Sequence, residues 1–116
     1  MSTTCAAASS PTPSLLDLTS SPDRRQRLRA LRELCPCQVR RNVPEVWDRI
    51  LQLAHDEDAK VRGTVLHLLA DGSPRERLDE VAFAIGRMTQ DADEGLRRRA
   101  RKVMAAYRST GRINVL

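Results

Sequence analysis

The chain has 116 residues, 41 % apolar and 30 % charged, with a formal net charge of +5 and a sequence pI near 9.9. One domain fits this length; no run of about 18 apolar residues is present to cross a bilayer; and Trp47, Phe83 and Tyr107 are the only aromatics, too few to stack a row of bases. The positive excess favours anionic partners without choosing among nucleic acid, acidic protein and anionic lipid.

Residues 1–13, rich in Ser, Thr, Ala and Pro, are expected to be a disordered tail. They lack the basic and apolar regions of a secretory signal. Ser14 and Asp17 make a capping-box-like start to a short helical turn bearing Leu15, Leu16 and Leu18, a truncated first helix that covers one end of the stack. Five longer helices are predicted. The first spans residues 23–34 with Leu28, Leu31 and Leu34 along one side; the second spans 44–55, opens on Pro44 and buries Val46, Trp47, Ile50, Leu51 and Leu53. The third, 58–70, carries Val61, Val65, Leu68 and Leu69 on one side and is stopped by Asp71-Gly72-Ser73-Pro74, with Gly72 as C-cap and Pro74 in the next first turn. The fourth, 74–89, buries Leu78, Val81, Ala82, Ile85 and Met88; the fifth, 93–109, ends near Gly111. A repeat domain over 14–110 and a C-terminal extension over 111–116 are expected. No segment alternates as a strand does.

The helices repeat. Asp23, Asp58 and Asp93 stand 35 residues apart, as do Arg27, Arg62 and Arg97, then Ala30, Val65 and Ala100, then Leu34, Leu69 and Met104. Upstream of these, Val46 matches Val81, Ile50 matches Ile85 and Leu53 matches Met88 at the same spacing. A fixed period of roughly 20–50 residues means that each unit buries its apolar face only against its neighbours. Acidic turns (Asp56-Glu57-Asp58 and Asp91-Ala92-Asp93-Glu94) leading into Val61-Arg62 and Leu96-Arg97 resemble the second helix of a HEAT repeat, particularly the short bacterial type grouped with phycobilisome-lyase-like repeats. The resemblance covers residues 22–110 and implies an all-α solenoid of antiparallel helical hairpins, the second helix of each pair lining the concave side. The first copy departs from it at Gln26, where the others have Val61 and Leu96.

Each aspartate can cap its helix and stands four residues before its arginine, close enough to pair. The functional alternative is an arginine row that binds anions; the resemblance implies that each arginine ties neighbouring repeats together through the aspartates. Advancing about 100° per residue puts a second set of cations on the flank of the same helices: Arg25, Arg29 and Arg32 in the first copy, Lys60 and His67 in the second, Arg99 and Lys102 in the third. In register they form a basic stripe, with Arg98 and Arg101 adding charge at one end. Two readings stand: a solvated face, or a surface for an acidic protein or a phosphate backbone.

Cys35-Pro36-Cys37 lies in the loop after the first long helix. Two thiols fall short of the roughly four ligands of a zinc site, and small buried groups at a helix junction are the preferred reading. Three cysteines without disulfide spacing make a reducing, cytoplasmic setting the default. His55 beside Asp56 suits a helix end better than acid–base chemistry, and Trp47 suits a gap between helix pairs. The tail from Ile113 is expected to fold back over the fifth long helix. No phosphate loop, nucleophile elbow or zinc-protease pattern is present. The expectation is a non-enzymatic bacterial binding module without cofactor or metal. It docks a protein through the basic flank, with nucleic-acid backbone binding as the alternative, no membrane partner, and an enzyme related to HEAT-like lyases or glycosylases as a remote third.

Overall fold

The computed structural model describes residues 13–33 and 43–113. Six α-helices account for most of these: α1 (Pro13–Leu18), α2 (Arg24–Glu33), α3 (Pro44–Leu53), α4 (Ala59–Gly72), α5 (Leu78–Met88) and α6 (Glu94–Thr110), with a 3₁₀ turn, Arg75–Arg77, leading into α5. No strand occurs among the described residues. Most of the predicted disordered tail, residues 1–12, and the Cys35-Pro36-Cys37 loop lie outside the described residues, as does Leu34.

The helices pair as α1/α2, α3/α4 and α5/α6, and α4 packs on both α2 and α6. The second helices therefore stand in a row α2–α4–α6, which is the solenoid expected from the period. Matching positions share burial. Val61 and Leu96, then Ala30, Val65 and Ala100, are fully buried, and so are the pairs Val46/Val81 and Ile50/Ile85. The core is built from aliphatic side chains plus Trp47, which has no exposed surface. That burial excludes Trp47 as a surface anchor and leaves it the filler between helix pairs.

Three local readings are corrected. Gly72 does not cap α4 in a left-handed conformation; it is the last helical residue, and Ser73 leaves the helix at φ −69, ψ 147. Pro74 explains this, since the residue before a proline is pushed to extended backbone. Pro74 is also not the first turn of a long helix but flanks the 3₁₀ turn, which precedes α5. On α4, Leu68 is half-buried while Leu66 is almost completely buried. Because α4 packs on α2, α3, α5 and α6, its apolar arc is wider than a single-sided helix requires. Leu51, Leu78 and Ala82 are half-buried as well.

Helix α6 ends as the sequence suggests. Gly111 takes φ 74, and its N–H donates to the Tyr107 carbonyl, a left-handed cap that glycine adopts without steric cost. Ile113, assigned to an extension, is buried in the core. Residues 111–113 line a cavity with Asp71, Gly72, Ser73 and Pro74, so this turn lies beside the end of α4; Asn114 to Leu116 lie outside the described residues.

Candidate functional site

The site is positioned by the acidic turns, whose chemistry repeats. The Asp56 carboxylate accepts the Asp58 N–H, and Asp58 in turn accepts the N–H groups of Lys60 and Val61. Asp91 accepts from Asp93, and Asp93 from Leu96. Each turn thus caps its own helix start, where free N–H groups and the helix dipole favour an acceptor. In the first copy Ser21 replaces the leading aspartate and its Oγ accepts the Asp23 N–H.

With the capping aspartates occupied this way, the aligned arginines do not pair within their own helix. Arg62 donates from Nε and Nη2 to Asp91 at 2.9 Å each, and from Nη1 to the Asp56 carbonyl at 2.8 Å. Arg27 repeats the pattern one unit earlier, with Nη2 3.2 Å from Asp56 Oδ2, Nε 3.1 Å from Oδ1, and Nη1 donating to the Ser21 carbonyl at 2.8 Å. The Asp58–Arg62 and Asp93–Arg97 pairs allowed by the sequence give way to this ladder between repeats, because an arginine can bridge a carbonyl and a neighbouring carboxylate at once. Arg62's hydrogen bonds hold the Asp91 carboxyl below the usual carboxylate range, while Asp91 in return raises the Arg62 guanidinium. Arg24, 3.0 Å from Asp58, lowers that carboxyl too.

The ladder fixes the register of α2, α4 and α6, and register brings part of the basic stripe together. Arg32, Lys60, Gly63, Thr64, His67 and Arg99 line one groove of about 440 Å³ together with Ala59 and Asp93. Gly63 makes the crossing close. A Cβ built there would stand 2.9 Å from Arg99 Nη2, so the guanidinium lies across the surface of α4. Arg25, Arg29 and Lys102 are exposed on the same helices but do not line the groove, and Arg29 is occupied by Glu33, 2.9 Å away. Among the described residues, Arg32, Lys60, His67 and Arg99 make no ion pair.

Two surface features were missed in the sequence. Asp93, read as a helix cap and as a possible partner of Arg97, lines the groove; that local reading gave no sign that it would share a groove with Lys60 and Arg99. Phe83 is 69 % exposed on α5, on the opposite helix row, beside Leu51, His55, Ala84 and Arg87. Its 35-residue equivalent, Asp48, is polar, which marks the position as outward-facing. No three His, Cys, Asp or Glu side chains are placed to hold a metal among the described residues, and no helix there is long and apolar enough to cross a membrane.

A row of helical hairpins in which each unit is bonded to the next defines an α-solenoid, a class whose surfaces commonly serve as scaffolds for other proteins. The sequence profile of the HEAT repeats matches residues 12–105, and the chain belongs to that family. Searches of curated proteins and of solved structures returned no match.

Proposed function

We propose that this HEAT-repeat chain is a non-catalytic adaptor that docks an acidic protein segment in the groove between α2, α4 and α6. The observation that carries the reading is the convergence of Arg32, Lys60, His67 and Arg99, from three successive repeats, on one groove, none of the four in an ion pair among the described residues. The helices hold the backbones of these basic residues in fixed register, while each long side chain gives up some rotamer freedom when a carboxylate arrives, and the positive field speeds encounter with an acidic partner. Arg25 and Lys102, exposed on α2 and α6, add to the positive field, while Arg29 is compensated by Glu33. We take the repeats to be of the short bacterial type and the setting to be cytoplasmic.

A phosphate backbone is the second reading. Against it stand Asp93, an acidic residue in the groove lining, and the absence of Phe, Tyr and Trp from that lining, which leaves only the His67 ring for a base to stack on. The two readings separate by fluorescence anisotropy, with a labelled oligoglutamate peptide and a labelled short duplex DNA titrated across a salt series. The adaptor reading predicts saturable peptide binding that Arg32→Glu with Arg99→Glu abolishes. Tighter binding of the duplex, with a steep loss on adding salt, transfers the site to nucleic acid. Binding of neither probe at low salt leaves the flank a solvated face.

A further inference from the structure

We propose that Arg97, with Arg101 one turn further along α6, receives an acidic turn of a partner protein, an aspartate that leads into a helix, in the way Arg62 receives Asp91. Arg27, Arg62 and Arg97 hold one position in three repeats, and each donates from Nη1 to the carbonyl six residues before it, at 2.8, 2.8 and 2.7 Å. That bond fixes the plane of the guanidinium. In the first two repeats the Nε–Nη2 edge then meets a carboxylate 29 residues further on. At Arg97 the anchor is present and no carboxylate of the described residues meets that edge. The receptor half of a two-bond fork is built and half-exposed to solvent.

The neighbouring position says what kind of partner fits. Leu31, Leu66 and Arg101 are equivalent; the two leucines are buried, whereas Arg101 is exposed. The face beyond α6 is therefore charged rather than apolar, and another HEAT hairpin with a greasy inner side is a poor match for it. A second copy of this chain is also a poor match. Its first turn carries Ser21 where the following turns carry Asp56 and Asp91, so head-to-tail stacking of α2 on α6 brings a hydroxyl, not a carboxylate, to Arg97. A separate protein with an aspartate-led acidic turn supplies both the fork-matching carboxylate and charge for Arg101.

The test monitors the side-chain Nε–H resonance of Arg97 in ¹⁵N-labelled full-length protein. The probe is a blocked synthetic peptide with the sequence of residues 88–96, an acidic turn of the kind proposed, and its control carries Asp91→Asn. The expected result is a saturable Arg97 shift whose affinity falls about tenfold with the control peptide, since charge-assisted bonds are roughly twice as strong as neutral ones. In Arg97→Lys, which keeps the charge but not the fork, the preference for the aspartate peptide shrinks severalfold, while Arg32→Glu with Arg99→Glu leaves it intact. An unmoved Arg97, equal response to both peptides, or a preference undiminished in Arg97→Lys overturns the proposal. So does an Arg97 shift that depends on protein concentration without peptide, which identifies a second copy as the occupant.

Discussion

Arg62 and Asp91 join adjacent repeats through two parallel hydrogen bonds of 2.9 Å, with side chains only 16 % and 10 % exposed. The pair does two jobs at once, because Asp91 also accepts the Asp93 N–H that shapes the turn before α6. Asp91→Ala is expected to lower stability by about 3 kcal/mol in urea unfolding, toward the cost of breaking a buried pair. Glu94→Ala, which removes the exposed pair with Arg98, should cost less than about 0.5 kcal/mol.

Acid should weaken the ladder selectively. Asp91 is held below the ordinary carboxylate value, first by the hydrogen bonds from Arg62, and in the unfolded chain it titrates near 4. As pH falls past about 4 the unfolded state binds the proton first, so the stabilisation is complete above that value and is lost on passing down through the lowered folded one. The stability difference between wild type and Asp91→Asn is therefore expected to be constant above about pH 5 and to shrink below about pH 4, as read from urea midpoints.

Gly63 separates stability from binding. The atom its new Cβ would meet is the tip of the flexible Arg99 side chain, so the guanidinium can swing away without disturbing the backbone. Gly63→Ala is expected to stabilise α4 by up to about 1 kcal/mol, the helix preference of alanine over glycine. The same change displaces Arg99 from the groove, and peptide affinity in the anisotropy titration should fall.

Arg101 puts charge on an exposed position of α6. Arg101→Leu restores the apolar residue found at Leu31 and Leu66 in the preceding repeats. Exposed apolar ends of a solenoid favour association, so sedimentation velocity is expected to show concentration-dependent self-association in this variant and a monomeric boundary in the wild type.

How far the sequence could be read depended on how local the controlling interaction was. The 35-residue period predicted that Val61 and Leu96 are equivalent, because a core position tolerates little besides an apolar side chain; both are fully buried. Asp58 and Asp93 were legible as caps for the same reason, a bond within three residues. The true partner of Arg62 was not legible from helix spacing. Asp91 lies 29 residues away, and only the packing of α4 on α6 brings them together. Gly72 misled because Pro74, two residues on, imposes the extended backbone that glycine was expected to provide by a different route. The residues of the expected stripe lie on α2, α4 and α6, but helix angles alone could not separate Arg32, Lys60, His67 and Arg99, which share a groove, from Arg25, Arg29 and Lys102, which do not.

The reading of the chain as a docking module stands or falls on that groove. Chemical-shift mapping of the ¹⁵N-labelled full chain with oligoglutamate tests it most directly. The account predicts saturable backbone shifts concentrated at residues 32, 60, 63, 67 and 99, abolished in Arg32→Glu with Arg99→Glu. Shifts spread evenly over other exposed cations such as Arg87, Arg98 and Arg108, or none that saturate, would contradict it.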